Sequence, residues 1–166
     1  GTLDILDISS DVTFTTVGSA TVGTGLTGVV VQGRYAYASD GGSNNVYVVD
    51  VSSSTNPFVI SSVGIAATSS AVFVSGRYVY VSGGDNKLHV IDVQNPLSPS
   101  EVQTITIGGQ PKKLFVSGRR AYIPNYTSST LSVIDILGTE MNGLVAHSAE
   151  FGTLQALGDE QIFNNL

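Results

Sequence analysis

Four copies of one short phrase run through the chain: Leu3-Asp4-Ile5-Leu6-Asp7-Ile8, Val46-Tyr47-Val48-Val49-Asp50-Val51, Leu88-His89-Val90-Ile91-Asp92-Val93 and Leu131-Ser132-Val133-Ile134-Asp135-Ile136. The recurring aspartates are spaced by 43 residues from Asp7 to Asp50, 42 from Asp50 to Asp92 and 43 from Asp92 to Asp135. A fixed period of this length, built from β-branched runs, means one supersecondary unit stacked on copies of itself, because a single unit cannot bury its own apolar face. The fold class follows from the repeat. The activity does not.

A second phrase keeps the same period: Val31-Gln32-Gly33-Arg34-Tyr35-Ala36-Tyr37, Val74-Ser75-Gly76-Arg77-Tyr78-Val79-Tyr80 and Val116-Ser117-Gly118-Arg119-Arg120-Ala121-Tyr122. In each copy two apolar runs meet at a Gly-Arg pair, which leaves room only for a tight hairpin whose glycine takes positive φ. A polar loop rich in Gly and Asn then leads into the Asp-bearing strand. After the aspartate, Asn56-Pro57 and Asn95-Pro96 force a corner, and Phe58 to Val63 and Glu101 to Ile107 read as a fourth strand. Four strands per repeat is the arithmetic of a propeller blade, and no stretch carries a competing helical period.

The predicted fold is therefore all-β, a β-propeller of four-stranded antiparallel repeats of 42–43 residues, with three complete blades and terminal half-blades. The blades are placed at residues 25–67, 68–110 and 111–149, after a half-blade at 1–24 whose two strands are Leu3 to Ile8 and Val12 to Val17. The Asp-bearing strand is expected innermost but one. Residues 150–166 either close the ring as a half-blade or begin a stalk. Because the chain starts inside an Asp-bearing phrase, it reads as a cut or processed piece.

These residues resemble the LVIVD and YVTN propeller repeats of bacterial and archaeal proteins. The likeness lies in Gly-Arg-Tyr-x-Tyr on the second strand, Val-Ile-Asp-Val on the third and Asn-Pro-x-Ser-Pro after it, with Ala121-Tyr122-Ile123-Pro124-Asn125 closest to the YVTN form. The resemblance implies the propeller fold and a secreted or surface location. It implies no ligand.

Composition narrows the partners. With 7 basic against 13 acidic residues the net charge is −6, which disfavours nucleic acid and anionic membrane surfaces. There is no cysteine, hence no disulfide framework and no thiolate chemistry. No apolar run reaches the roughly 18–20 residues of a membrane span.

The recurring Asp7, Asp50, Asp92 and Asp135 each stand just before a corner, where a carboxylate accepts backbone N–H bonds. A group needed once per blade for geometry recurs once per blade, whereas a catalytic pair is needed once per site, so these positions read as structural. Arg34, Arg77 and Arg119 read the same way, as do Gly33, Gly76 and Gly118 in the hairpin turns. Tyr37, Tyr80 and Tyr122 are expected to fill the space between blades, with Tyr35, Tyr78 and Arg120 on the opposite face. A sugar-stacking platform is the functional alternative for these aromatics.

The slot three residues before each aspartate holds Asp4, Tyr47, His89 and Ser132. Its variation suggests a rim or surface position, which makes His89 a surface residue. His89 and His147 lie in no metal-ligand or nucleophile-activating spacing. Loops 40–45 and 83–86 contain oxygen ligands but lack the alternating carboxylates of a strong Ca²⁺ loop. Asn125-Tyr126-Thr127 fits the N-glycosylation acceptor pattern. No metal, cofactor or catalytic residue is assigned.

The expected function is a non-catalytic extracellular structural or binding module of a surface layer, fibre or filament. Its partners would be further copies of itself and a carbohydrate or protein ligand. The alternative is a propeller enzyme acting on carbohydrates or lactones. The half-blade leaves Leu3, Ile5, Ile8, Val12 and Val17 as an assembly edge needing cover, because two strands alone bury too little apolar surface to offset their ordering entropy. A neighbouring subunit is the favoured cover, with the chain's own C-terminal segment as the other candidate.

Overall fold

The computed structural model describes residues 1–10 and 13–136 and contains only β-strands and turns there. A two-stranded ribbon opens the chain, β1 (Thr2–Asp7) with β2 (Thr15–Thr21). Two four-stranded antiparallel sheets follow. The first runs β3 (Leu26–Gln32), β4 (Tyr35–Asp40), β5 (Asn45–Asp50), β6 (Phe58–Gly64), and the second β7 (Ser69–Ser75), β8 (Tyr78–Gly83), β9 (Lys87–Asp92), β10 (Ser100–Thr106). A three-stranded sheet, β11 (Phe115–Ser117), β12 (Arg120–Asn125) and β13 (Thr130–Asp135), ends the described part. Each sheet keeps sequence order, as successive hairpins require.

Three expectations need adjustment. The second strand of the ribbon runs Thr15–Thr21 rather than Val12 to Val17, and Val12 lies outside the described residues. A bulge between Ile5 and Leu6 leaves Val17 out of the register while Gly18 pairs with Ile5 and Thr16 with Leu6. The fourth strand expected for the blade at 111–149, and the whole of 150–166, also lie outside the described residues. Finally, the closest approach between neighbouring sheets is made by their first strands, β3 and β7. The Asp-bearing strand is thus third from the convergence, not innermost but one.

The turn chemistry explains the register. Gly33, Gly76 and Gly118 have φ of +61°, +60° and +57°, and each is the first residue of a two-residue loop whose second residue, an arginine, has negative φ. This is the II′ hairpin, whose twist matches that of the flanking strands and whose first position any side chain would strain.

Strands in a blade are covered on both faces, so their sequences run apolar without alternation. One cluster, built on Tyr37, Val46 and Val48 from one side and Val72, Val79, Val81, Ile91 and Val93 from the other, glues the first four-stranded sheet to the second. A second, with Tyr80, Leu88 and Val90 facing Val116, Ala121 and Ile123, joins the second sheet to the third. A third, around Ala20, Val22, Ala36, Ala38 and Val49 with Leu3 at its margin, seats the ribbon on the first blade. The ribbon therefore finds its cover in the blade that follows it, a partner the sequence reading did not consider.

Candidate assembly surfaces and the polar rim

Each blade fastens its third strand with the same device. Asp7 accepts the Ser9 N–H at 2.8 Å, Asp50 the Ser52 N–H at 2.9 Å, and Asp92 the Gln94 N–H at 2.8 Å. The other oxygen meets the turn arginine: Arg34 donates to Asp50 at 2.5 Å, Arg77 to Asp92, and Arg119 to Asp135 at 2.6 Å. The Arg34, Arg77 and Arg119 carbonyls in turn accept from Val51, Val93 and Ile136, each at 2.9 Å. The Ser52 hydroxyl, Arg34 and the Ser52 amide together hold the Asp50 carboxyl at about 2. The aspartate thus ties the hairpin turn to the corner. The pairing was missed from sequence, although the recurring offset of 16, 15 and 16 residues between the partners was its signal.

The opposite rim differs blade by blade. At the end of β4 the buried Asp40 accepts N–H bonds from Thr24 at 2.8 Å, Gly25 at 2.9 Å and Gly42 at 2.7 Å, and the Ser43 hydroxyl at 2.9 Å. Burial alone would raise its pKa, but the amides of Thr24 and Gly42 and the amide and hydroxyl of Ser43 outweigh it and bring the carboxyl to about 2. An ideal Cβ on Gly23 would lie 2.1 Å from the Asp40 carboxylate, so the chain passes here only as glycine. With its lone pairs taken by N–H and O–H donors, Asp40 is a staple between loops and not a cation ligand. The equivalent positions are Gly83 and Asn125, so no repeat signal marked Asp40 in the sequence.

His89 is not a surface residue. Its side chain is 1% exposed, with Nδ1 2.5 Å from Glu101 and Nε2 3.2 Å from Asp85. The vacancy left by Gly83 lets the imidazole in, since an ideal Cβ there would sit 2.6 Å from Nε2. Variation in this slot therefore reflects a different filling of one rim position in each copy, with Asp4 exposed, Tyr47 and Ser132 half-buried and His89 enclosed. Both ring nitrogens are engaged by carboxylates, which leaves neither to bind a metal or activate a nucleophile. No cluster of three or more His, Asp or Glu suited to a metal ion occurs among the described residues.

Tyr37 and Tyr80 are buried in the inter-blade clusters and present no ring for a sugar, and burial raises both hydroxyl pKa values. Tyr35 and Tyr78 lie on the same face as Tyr37 and Tyr80, not the opposite one, because residues two apart in a strand share a face. Asn125 is buried, its amide donating to Thr130 at 3.1 Å and Ser132 at 2.8 Å, so it cannot serve as a glycan acceptor in the folded chain.

Apolar residues stand exposed on the first and last described sheets. Leu131 and Val133 on β13 are 59% and 51% exposed, and Phe115 beside them is exposed as well. At the other end Leu6 and Ile8 are 51% and 73% exposed. Leu3, Ile5 and Val17 are half-buried. A cavity of about 200 Å³ lined by Asp92, Gln94, Asn95, Ser98 and Ser100 opens at the corner of the second blade, but its main carboxylate is already committed to Arg77 and the corner amide. No helix among the described residues is long and apolar enough to cross a membrane.

No curated protein matches the chain in sequence. Among solved structures, the Myceliophteria thermophila Cps50 (Swd1) β-propeller domain aligns with a TM-score of 0.66 at 14% identity, over 80% of this chain and 46% of that one. The Pseudomonas aeruginosa periplasmic gluconolactonase PpgL aligns with a TM-score of 0.60 at 23% identity, over 66% of this chain and 35% of the enzyme. BamB from Moraxella catarrhalis aligns with a TM-score of 0.58 at 12% identity, over 72% of this chain and 34% of that one. The chain thus spans less than half the length of each, and at these identities the likeness is one of fold. The LVIVD repeat model matches residues 26–64 and 66–106, which are the two four-stranded blades β3 to β6 and β7 to β10. Two consecutive LVIVD repeats are thus matched blade for blade, in a chain whose fold is that of a β-propeller.

Proposed function

We propose that the chain is a non-catalytic structural or binding module that works outside the cell, as part of a surface layer, fibre or filament, and assembles through its terminal sheets. The observation that carries this reading is the condition of the ends, where apolar strand positions stand exposed and β1 and β13 each have one edge unpaired among the described residues. Free edges and bare sheet faces are what proteins ordinarily cover, and strand edges of this kind can pair with another chain. The titratable groups on the rims support the non-catalytic part. Asp40, the recurring Asp–Arg pairs and His89 each spend their hydrogen-bonding capacity on holding loops and corners together.

Electron microscopy of the full chain, together with a turnover assay on aldonolactones and glycosides, tests the reading. Multimers or fibres without turnover are expected. Uniform single particles of monomer size would overturn the assembly, and saturable turnover would overturn the non-catalytic assignment in favour of a lactone- or carbohydrate-active propeller.

A further inference from the structure

The rim of the second blade places a buried titratable ring between two carboxylates. His89 on β9 is 1% exposed, with Nδ1 2.5 Å from a Glu101 oxygen on β10 and Nε2 3.2 Å from an Asp85 oxygen in the turn between β8 and β9. Glu101 pairs with Ile91, two residues along β9 from His89, so its long side chain reaches the ring along the diagonal of one face. Lys87 adds a charge from the same strand, its Nζ 3.4 Å from Asp85. The other neighbours add none. Across the ladders His89 stands opposite Val81 on β8 and Thr104 on β10. The first blade meets this face of β9 through Tyr37, Val46, Val48 and Ile65, of which only Tyr37 ionises, and burial pushes its hydroxyl up.

A carboxylate only accepts hydrogen bonds, and a neutral imidazole has a single N–H to give. With the ring neutral, in either tautomer, one nitrogen turns a lone pair on a carboxylate oxygen at a ring that water barely reaches. With both nitrogens protonated, each contact becomes a charge-assisted hydrogen bond. The Asp85 carboxyl reflects the second arrangement: burial would raise its pKa, but the hydrogen bond and charge of His89, then those of Lys87, bring it below the ordinary aspartate value.

Among the described blades the arrangement belongs to the second alone. In the first, Tyr47 and Ser43 occupy the slots of His89 and Asp85 and meet through their hydroxyls at 3.2 Å, while Val59 stands in the slot of Glu101. In the third, Ser132 and Ser128 fill the first two slots. Serine and tyrosine hydroxyls keep their protons where a histidine changes charge, between about pH 5 and 8.

We propose that His89, Asp85 and Glu101 form a pH-sensitive clasp in the second blade: with both ring nitrogens protonated it ties β10 and the β8–β9 turn to β9, and the loss of one ring proton as the pH rises releases the tie. The stabilisation is therefore present at the acid end of the histidine range and is lost toward its alkaline end.

Thermal unfolding of the full chain at intervals across about pH 5 to 8 tests the clasp, with wild type set against Glu101→Gln. The glutamine keeps the shape of the glutamate, and its amide can accept from a protonated Nδ1 or donate to a bare one, so the variant is indifferent to the ring's charge. The lead of the wild type in melting temperature should shrink by about 2–4 °C from the acid to the alkaline end. Asp85→Asn, at the other ring nitrogen, takes its place if Glu101→Gln does not fold. In a His147→Gln background, which leaves His89 as the single histidine, nitrogen NMR reads the ring directly. Both nitrogens should carry protons at the acid end, and one should lose its proton over the interval in which the lead shrinks. A lead that stays constant across the range, or a ring whose proton count does not change, would overturn the clasp.

Discussion

Replacing Leu88 by alanine should lower the unfolding free energy by about 2–5 kcal/mol, measured by urea or thermal unfolding, while the same change at Leu131 in dilute solution should cost within about 0.5 kcal/mol. The two leucines share a repeat slot and a strand position, and they differ in one respect. Leu88 is 0% exposed in the cluster shared with Val116, Ala121 and Ile123, whereas Leu131 is 59% exposed, with no blade beyond it among the described residues. Truncating Leu88 removes apolar contacts and leaves a cavity that the flanking sheets cannot fill, while truncating Leu131 exchanges one exposed surface for a smaller one. The pair isolates what stacking contributes, free of strand propensity. Equal losses at both positions would show that Leu131 is covered in the single chain.

Asp40→Ala should be the most damaging polar substitution, lowering stability by about 2–4 kcal/mol, the scale of several hydrogen bonds to a charged acceptor whose donors recover only part of their bonding from water. The Thr24, Gly25 and Gly42 amides converge on this one carboxylate, so its loss unties the segment entering β3 from the loop between β4 and β5. The pH dependence follows from the sign of the shift. The folded pKa, about 2, lies below the ordinary aspartate value of about 3.9 in the unfolded chain. The contribution is therefore complete above about pH 5 and disappears as the pH falls through the folded value. Asp40→Asn should flatten the loss of stability between about pH 4 and 2, and an acid unfolding curve identical to that of the wild type would contradict the assignment.

What the repeat dictates was legible in the sequence, and what it does not dictate was not. The period, the Gly-Arg turns and the proline corners led to three blades, of which two are seen with all four strands among the described residues and the third with three, because those features act locally and recur. The Arg–Asp pairing needed a comparison of offsets across copies, and the face shared by Tyr35 and Tyr37 needed only the two-residue period of a strand. The rim escaped for a physical reason. Asp40 and His89 occupy slots where each blade has its own solution, and a variable slot among repeats looks like a surface position until the loops that enclose it are placed. A histidine becomes buried when a glycine opposite makes room and two carboxylates satisfy it, neither of which a residue-by-residue reading of one strand can show. The cover of the ribbon escaped likewise: Leu3 meets its partners in the following blade, a contact implied by stacking rather than by any pattern within the ribbon.

The absence of cysteine from the sequence offers a direct test of the proposed assembly, in which the exposed face around Leu131 takes part. In the single-cysteine variant Leu131→Cys the rate of thiol labelling can be followed as the protein concentration rises, with Leu88→Cys as the buried reference in the same slot. The account predicts rapid labelling at position 131 in dilute solution, falling at least about tenfold as association covers the face, and slow labelling at position 88 throughout. A rate at position 131 that is the same at every concentration, whether fast or slow, would contradict it.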